Sequence, residues 1–464
     1  MPNLLLTHGY FLREDPKEAL IKKPYTPLGL LYICSYLRSK GFEVDVFDST
    51  FSTKKELFQH LQSQRPAVLG IYANLMTRGN VVEILCVARQ AGWKTVVGGP
   101  EPGAYVREYL EAGADVVVIG EGEAVMEELL PALEAGDPLH LSKVKGIASL
   151  GPDGQVEQTP PRPQIANLDG LPWPAREAVD IRKYLETWRE AHGQSSLSVI
   201  TARGCPYHCR WCSHQVFGKT HRRRSARAVA DEVEWLTATY HPDMLWIADD
   251  VFTIHHGWLR EYAGEMKRRG LRIPFECISR ADRLSAEAVQ LMADLGCFRV
   301  WIGSESGSQR ILDSMERGVR VEEVQSAVEL CKRKSIQCGM FLMWGYEGEE
   351  LSDIEATIQH VKRSDPDIFL TTVAYPIKGT PYHGSVADSL VQLKPWSLGS
   401  DREIQIRGRH SRRFYSYADQ LLRDEVEFAR RIRSDTTDGA ALELQHRIRT
   451  SREGLAAYAN EVEA

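Results

Sequence analysis

The sequence predicts an α/β protein in which a doubly wound parallel sheet is followed by a partial β/α barrel and a mainly helical C-terminal region. Three observations support this fold class. Apolar runs alternate with amphipathic segments near the N-terminus, the alternation resumes after a proline-rich stretch, and the chain ends in long charged helical patterns. A chain of 464 residues also exceeds the size of one ordinary core, which favours several domains.

The first domain, residues 1–140, is predicted to be Rossmann-like, with five parallel strands separated by helices. The strands follow from the runs NLLLTH, FEVDVFD, AVLGIYA, KTVVGG and ADVVVIG. Ligands of such sheets bind beyond the carboxyl ends of the strands. Glycines cluster there, in GGP from Gly98 and in GEGE from Gly120, which predicts a backbone that approaches a large ligand. The stretch THGYF after the first strand lacks the G-x-G-x-x-G of a dinucleotide site, and IYANLMT lacks the aspartate of a phosphoreceiver domain.

The remaining chain divides into a linker, a barrel and a helical region. Residues 141–194 are predicted to form a hairpin, KGIASLGPDGQVEQ, and an extended proline-rich linker. Residues 195–383 contain six strand patterns, SVITA, MLWIADD, IPFECIS, FRVWIGSES, QCGMFLMWG and DIFLTTVAY. Six β/α units are fewer than the eight of a full barrel, so we expect an open, TIM-like partial barrel. Residues 384–464 are predicted to be mainly helical.

Composition excludes several classes of protein. No apolar run approaches the ~20 residues that span a bilayer, and the N-terminus lacks the features of a signal peptide, so we expect a cytoplasmic protein without a membrane span. Nine cysteines without disulfide spacing predict reduced thiols. A net charge of -6 argues against nucleic acid as a partner. The basic stretches KTHRRRSAR and RGRHSRR are interpreted as solvated surface.

Three cysteines, Cys205, Cys209 and Cys212, occupy the loop after the first barrel strand, in ITARGCPYHCRWCSH. The carboxyl face of an α/β barrel is where active sites lie. A structural zinc site is one alternative, with His208, His214 or His221 as the fourth ligand. An iron-sulfur cluster held by three thiolates leaves one iron open to a small molecule, which suits chemistry better than electron storage.

The spacing C-x3-C-x2-C, preceded by Arg203 and Gly204, resembles the radical S-adenosylmethionine superfamily. The resemblance continues through WIADDVFT, ISRADRL, GSESGSQRILDSMERG, GMFLMWGYEGE and YPIKGTPYH. The first domain, with YTPLGLLYICSYLRSKGFEVDVFDS, VVGGPEP and DVVVIGEGE, resembles the cobalamin-binding module that precedes the barrel in one large subfamily. Together the two matches cover most of the chain.

The resemblance implies three cofactors: a four-iron four-sulfur cluster, S-adenosylmethionine and cobalamin. It implies that one electron cleaves S-adenosylmethionine to a 5'-deoxyadenosyl radical, while the protein binds, orients and excludes water. The implied cluster ligands are Cys205, Cys209 and Cys212. The implied contacts to S-adenosylmethionine are Tyr207, Trp211, Asp249, Asp250, Arg280, Ser304, Glu305, Met340 and Gly345. The implied cobalamin contacts are Asn74, Leu75, Met76, Gly98, Gly99, Pro100, Gly120, Glu121 and Gly122.

Some cobalamin domains supply a histidine to cobalt from a D-x-H-x-x-G sequence after the first strand. Here LTHGYF keeps His8 but has Leu6 and Phe11 in place of the aspartate and glycine. A metal-bound histidine needs a hydrogen-bond partner on its other nitrogen, and this pattern does not provide it. We therefore expect cobalamin without histidine ligation, its lower face left to the loop after the third strand, where weak ligands would favour nucleophilic cobalt(I).

The leading hypothesis for function is methyl transfer to an unactivated carbon, or to phosphorus, of a small molecule. One S-adenosylmethionine would make the radical and a second would remethylate cobalt(I). The alternatives are a radical rearrangement, oxidation or cyclisation without methyl transfer, and a zinc-bound protein without catalytic activity. An electron donor such as flavodoxin or ferredoxin is the expected protein partner. The sequence does not identify the substrate.

Overall fold

The computed structural model describes residues 4–136, 138–214, 216–434 and 439–463. The chain falls into two compact units. The first contains Met1–Pro206, Ser213–Ala248 and Lys394–Ser400, and the second contains Tyr207–Cys212, Asp249–Leu393 and Asp401–Ala464. These units cut across the domain limits proposed from the sequence, which remain a prediction.

The first unit contains a seven-stranded sheet in the order β2-β1-β3-β4-β5-β6-β7. Its strands are β1 (Leu4–His8), β2 (Val44–Val46), β3 (Val68–Tyr72), β4 (Lys94–Gly98), β5 (Val116–Val118), β6 (Ile147–Leu150) and β7 (Val156–Gln158). The first five pair in parallel, as predicted. The predicted hairpin is also present, but its two strands, β6 and β7, join the sheet in antiparallel orientation. The sheet therefore has seven strands rather than the five predicted.

Helices cover both faces of this sheet, which explains why β1, β3 and β5 are largely apolar along their whole length. Along β1, Leu4 and Leu6 pack into one buried cluster, while Leu5 packs into a second cluster. Side chains alternate between the two faces of a strand, so a strand buried on both faces is apolar at every position. The helices of this unit are α1 (Pro16–Ile21), α2 (Leu28–Ser39), α3 (Lys54–Ser63), α4 (Arg78–Gln90), α5 (Val106–Glu111), α6 (Glu123–Ala135), α7 (Pro138–Leu141), α8 (Ile181–His192) and α9 (Ala226–Tyr240).

Four further strands belong to the first unit. They are β8 (Ser196–Val199), β9 (Ala202–Arg203), β10 (Arg222–Arg223) and β11 (Met244–Ile247). β8 and β11 pair in parallel, and β9 and β10 form a short antiparallel ladder. β8 and β11 are the first two of the six predicted barrel strands.

The second unit contains the other four predicted barrel strands, which pair in parallel in the order of the chain. They are β12 (Phe275–Ser279), β13 (Cys297–Glu305), β14 (Gln337–Trp344) and β15 (Ile368–Val373), and the short strands β16 (Leu390–Val391) and β17 (Gln405–Ile406) form a separate antiparallel pair. Its helices are α10 (His256–Arg268), α11 (Ala286–Leu295), α12 (Gln309–Ser314), α13 (Val321–Arg333), α14 (Leu351–Ser364), α15 (Pro381–Ser385), α16 (Arg412–Arg433) and α17 (Gly439–Tyr458). The helical C-terminal region is confirmed by α16 and α17.

The two basic stretches are solvated only in part, which narrows the expectation from the sequence: Arg227, Arg407 and Arg412 are exposed, but other members are tied up in ion pairs. Arg222 donates to Glu121, and Arg224 is buried in an ion pair with Glu232. In the second stretch Arg409 pairs with Glu463 at 2.8 Å. None of the helices in the described part of the chain is long and apolar enough to cross a membrane.

Candidate functional site

The loop that carries the cysteines begins at a sharp turn after β9. Gly204 has φ +84°, and a Cβ at this position would lie 2.2 Å from the carbonyl oxygen of Thr220. Only glycine fits such a turn without strain. Cys205, the first predicted cluster ligand, follows this glycine and is half-buried in the first unit.

Cys209 and Cys212 belong to the second unit and lie next to each other. The backbone N–H of Cys212 donates to the carbonyl oxygen of Cys209 at 3.2 Å. A hydrogen bond from the Cys212 thiol, together with the positive charges of Arg317 and Arg280, lowers the pKa of Cys209 to about 6. Cys209 is thus stabilised as a thiolate, the form that binds iron.

Arg280 holds Cys209 rather than projecting freely. Its Nη1 lies 3.9 Å from the Sγ of Cys209, and its Nε donates to Asp282 at 2.8 Å. Its Nη2 donates to the carbonyl oxygens of Arg317 and Gly318 at 2.9 and 3.2 Å. The predicted contact of Arg280 with a carboxylate ligand would depend on the remaining N–H of Nη1.

Arg317 is a site residue to which the sequence analysis gave no role. It is buried, and its Nη1 lies 3.8 Å from the Sγ of Cys209. Its Nη2 donates to the carbonyl oxygen of Gly303 at 2.8 Å, and its Nε lies 3.9 Å from Glu305. The segment that contains Arg317, SMERG, was part of the resemblance, but an arginine far along the chain from the cysteines gives no local signal of such a contact.

The end of β13 has an irregular backbone at the two predicted contacts Ser304 and Glu305. The register with β14 shifts between Gly303 and Glu305, and Glu305 has φ +60°. A non-glycine residue in this region is strained, and such strain occurs preferentially at functional sites. Burial raises the pKa of Glu305 to about 7, against the opposing charge of Arg317. Ser304 is buried and bonds to His360 at 3.0 Å.

The two aromatic residues of the cysteine loop have separate surroundings. Tyr207 stacks under Arg280, whose guanidinium carbon lies 3.6 Å from the ring centroid. Its hydroxyl accepts a hydrogen bond from the Nε of Arg283 at 2.5 Å. Trp211 packs on a buried cluster that includes Met343. Both side chains therefore position the loop in the second unit.

The other predicted contacts to S-adenosylmethionine all belong to the second unit. Asp249 is buried and Asp250 is exposed. Met340 lies within β14 and is paired with β13 on one side and β15 on the other, so its backbone is occupied by the sheet. Gly345, directly after β14, has φ +68°, and a Cβ there would lie 2.8 Å from the ring of Tyr415. The N–H of Gly345 donates to Glu349, so the structure leaves the backbone N–H of neither Gly345 nor Met340 open for a ligand.

The donor set has the chemistry of an iron-sulfur cluster site. It offers three thiols within one loop, and Arg280 and Arg317 help to stabilise Cys209 as a thiolate. His208, one proposed fourth zinc ligand, is exposed.

In the first unit, the predicted cobalamin loops after β3 and β4 are in direct contact. The backbone N–H of Ala73 donates to the carbonyl oxygen of Gly98 at 2.8 Å. Gly99 has φ +121°, and a Cβ there would lie 2.3 Å from the carbonyl oxygen of Ala73. The Oδ1 of Asn74 accepts from the backbone N–H groups of Met76 and Thr77 at 2.9 and 3.1 Å, so it shapes its own loop.

The remaining predicted cobalamin contacts differ in how far they are already engaged by other parts of the protein. Glu121 accepts from Arg203, Arg222 and the N–H of Ile165, so its carboxylate is occupied. Gly122 is the N-cap of α6, and a Cβ there would lie 2.7 Å from Ile33. The remaining predicted contacts are Leu75, which is half-buried, Met76, which is exposed, Pro100, which is half-buried, and Gly120, which has φ +97°.

His8 is committed to bonds within the first unit. Its Nε2 lies 3.1 Å from Asp48, and its Nδ1 lies 2.9 Å from the hydroxyl of Ser49 and accepts from the N–H of Tyr10 at 3.2 Å. Tyr184 donates to the other oxygen of Asp48 at 2.8 Å. Both ring nitrogens of His8 therefore have partners other than a metal.

Comparison with family models gives two adjacent matches. The model of the B12 binding domain matches residues 19–130, and that of the Radical SAM superfamily matches residues 199–361. The first match begins in α1, ends in α6 and contains four of the seven strands of the first sheet, β2 to β5. The second begins at the end of β8, includes the cysteine loop and ends in α14.

Curated relatives extend the similarity over most of the chain. An uncharacterized methyltransferase of Pyrococcus horikoshii is 30% identical over 398 residues, which are 82% of this chain and 84% of that protein. The anaerobic magnesium-protoporphyrin IX monomethyl ester cyclase of a Synechocystis species is 27% identical, over 81% of this chain and 75% of that protein.

A solved structure shows the same fold. The radical S-adenosylmethionine methyltransferase TsrM from Kitasatospora setae, with cobalamin and a [4Fe-4S] cluster bound, superimposes with a TM-score of 0.69 at 21% identity. The superposition covers 87% of this chain and 80% of that one. Fold, family models and relatives agree: the chain belongs to the cobalamin-binding radical S-adenosylmethionine enzymes, which use a four-iron four-sulfur cluster, S-adenosylmethionine and cobalamin.

Proposed function

We propose that this enzyme transfers a methyl group from S-adenosylmethionine, by way of cobalamin, to an unactivated carbon or a phosphorus atom of a small molecule. The observation that carries this proposal is the hydrogen bonding of His8, whose two ring nitrogens are taken by Asp48 and Ser49. A cobalamin that is bound at the loops after β3 and β4 without a histidine ligand is suited to accept and give up a methyl group.

In this proposal, the cysteine loop and the residues near it bind the cluster and S-adenosylmethionine, and the loops of the first sheet bind cobalamin. Cys205, Cys209 and Cys212 hold the cluster, and Arg280 and Arg317 stabilise the thiolate of Cys209. When bound, the cluster supplies an electron to S-adenosylmethionine and cobalamin carries the methyl group. The loops after β3 and β4 hold the corrin. S-adenosylmethionine is oriented by six residues of the second unit: Tyr207, Trp211, Asp249, Ser304, Glu305 and Gly345.

Two similar proteins support methyl transfer by their names, the Pyrococcus relative and TsrM. The Synechocystis relative is named as a cyclase and supports the alternative, radical chemistry without methyl transfer. The higher identity and coverage of the Pyrococcus relative favour the methyltransferase. We also propose a cytoplasmic enzyme reduced by a flavodoxin or ferredoxin, because the cysteines are free thiols and the chemistry requires single electrons.

The proposal is tested without knowledge of the substrate. Anaerobic enzyme loaded with cluster and cobalamin is reduced and incubated with S-adenosylmethionine alone, and S-adenosylhomocysteine is quantified. Methyl transfer predicts about one S-adenosylhomocysteine per bound cobalamin and none from the same protein depleted of cobalamin. Equal S-adenosylhomocysteine with and without cobalamin, or none in either sample, would contradict the proposal.

A further inference from the structure

The segment Lys394–Ser400, here called the strap, belongs to the first compact unit, although its neighbours along the chain belong to the second. It contains one 3-10 turn, Trp396–Leu398. The ring of Trp396 lies edge-on to Tyr109, with the ring centroids 4.8 Å apart, and 5.8 Å from Tyr105. The strap is thus packed on the cobalamin-binding fold.

The strap contacts Arg78, the first residue of α4. The Nη1 of Arg78 donates to the carbonyl oxygens of Gly399 and Trp396 at 3.1 and 3.4 Å. Its guanidinium carbon lies 5.2 Å from the Trp396 ring centroid and 4.5 Å from that of Tyr105. Arg78 directly follows the loop after β3, so the strap fixes the end of that loop.

Arg78 also connects this loop to the loop after β4. Its Nε donates to the carboxylate of Glu101 at 2.6 Å, and the hydroxyl of Tyr109 donates to the other carboxylate oxygen at 2.6 Å. Arg78 is 2% exposed and Glu101 is 6% exposed. A buried pair of this kind resists separation, because breaking it leaves an uncompensated charge.

The two loops have little freedom to move independently. Ala73 donates to Gly98, and Gly99 approaches the carbonyl of Ala73 so closely that a Cβ would not fit. A shift of Arg78 would therefore displace both predicted cobalamin loops together. Trp396 packs against the buried apolar cluster on this side of the sheet.

We propose that the strap, Arg78 and Glu101 are positioning residues for cobalamin, which keep the loops after β3 and β4 in the conformation that receives the corrin. A binding surface that is already ordered avoids the entropic cost of ordering it on binding. This inference rests on the proposed placement of cobalamin at these two loops. None of the three is assigned a contact with the cofactor.

The test compares Trp396→Ala with Leu398→Ala in full-length enzyme that carries its cluster and lacks cobalamin. Leu398 lies in the same turn and is 72% exposed, so it provides a matched control. Titration with hydroxocobalamin gives Kd, hydrogen exchange of the peptides that cover the two loops reports their order, and iron analysis reports whether the cluster is intact. For Trp396→Ala we expect a Kd increased roughly tenfold or more, faster exchange in both loops and unchanged iron, since lost packing disorders the loops without touching the cluster.

An unchanged Kd in Trp396→Ala would overturn the positioning role, as would an equal loss in Leu398→Ala. If Trp396→Ala does not fold, Arg78→Lys is measured in its place, because lysine keeps the charge beside Glu101 but cannot also reach both strap carbonyls. If the unsubstituted enzyme does not bind hydroxocobalamin, the proposed function fails. Hydrogen exchange then tests separately whether the strap orders the loops after β3 and β4. Faster exchange of these loops in Trp396→Ala supports that role, and unchanged exchange overturns it.

Discussion

Two buried guanidinium groups are directed at one sulfur atom, the Sγ of Cys209. Arg280 and Arg317 approach it to 3.9 and 3.8 Å, and backbone carbonyls hold both side chains in place. This arrangement favours the thiolate before any metal is bound. Hydrogen bonds to ligand sulfurs also tune the reduction potential of an iron-sulfur cluster. The two arginines are therefore expected to raise the reduction potential of the cluster.

Replacing Cys205, Cys209 or Cys212 with alanine is expected to abolish the cluster, because three thiolates are the proposed protein ligands. Anaerobically reconstituted enzyme should contain about four irons and four sulfides per chain, and each variant close to none. Cys86→Ala is the matched control, since Cys86 is exposed and far along the chain from the loop. Stoichiometric zinc without iron in the unsubstituted protein would contradict the assignment.

Replacing Arg317 with methionine is expected to lower the reduction potential of the cluster and to leave its iron content unchanged. The variant removes one charged donor to Cys209, and we expect a shift on the order of tens of millivolts. A potentiometric titration followed by electron paramagnetic resonance measures it, and Arg317→Lys should restore part of the shift. A potential identical in all three proteins would show that the contact has no electronic role.

At the scale of elements, a polar network joins the carboxyl ends of β1 and β2 to α8. His8, Asp48, Ser49 and Tyr184 bond to one another. Burial would raise the pKa of Asp48, but the bonds from His8 and Tyr184 lower it overall. The network is therefore a structural brace, and it leaves no ring nitrogen for cobalt.

Replacing His8 with alanine is expected to leave the spectrum of bound cobalamin unchanged. Electron paramagnetic resonance of the cobalt(II) form should show no splitting from a protein nitrogen in either protein. The variant should lose about 1–3 kcal/mol of stability, since the buried carboxylate of Asp48 loses a donor. Protein-nitrogen splitting that disappears in His8→Ala would reverse the assignment of the lower face.

The loop after β14 contains a buried carboxyl group, Glu349, that makes stability depend on pH. Its Oε2 accepts from the N–H of Gly345 at 2.6 Å. Burial raises its pKa from 4.5 to about 8. The neutral form is thus favoured in the folded state, and its contribution to stability is lost as pH rises from about 4.5 through about 8.

Glu349→Gln is therefore expected to unfold at a higher temperature than the unsubstituted protein at pH 9, and to show a smaller difference between pH 6 and pH 9. The amide oxygen of glutamine can still accept from Gly345. Thermal melts of cofactor-free protein at the two pH values measure the effect. Glu347→Gln, at an exposed neighbouring position, should retain the original pH dependence. A pH dependence in Glu349→Gln equal to that of the unsubstituted protein would contradict this explanation.

At the scale of the whole molecule, the order of strands and helices was predictable because local hydrophobic patterns determine it. The runs that predicted β1 to β5 are apolar on both faces, and the six barrel patterns each became a strand. The helix α8 was not predicted, although Asp180 caps it and Gly193 ends it. The prolines that precede α8 favour an extended linker, and the helix begins only after them.

Contacts between distant parts of the chain were not predictable in the same way. Arg317 lies more than a hundred residues beyond Cys209, and the strap reaches the first unit from the C-terminal region. The acidic partners of Arg222 and Arg224 turn an expected surface patch into buried ion pairs. Local periodicity carries no information about such pairings, which depend on how the elements pack.

The central claim, methyl transfer by a cobalamin-dependent radical enzyme, is tested most directly with S-adenosylmethionine that carries a deuterated methyl group. Reduced enzyme is incubated with it and with small-molecule extracts of its source, and mass spectrometry follows the label and both coproducts. The account predicts label in a product, with S-adenosylhomocysteine and 5'-deoxyadenosine formed in about equal amounts. An altered but unlabelled product that accompanies 5'-deoxyadenosine would contradict it and support rearrangement, oxidation or cyclisation instead.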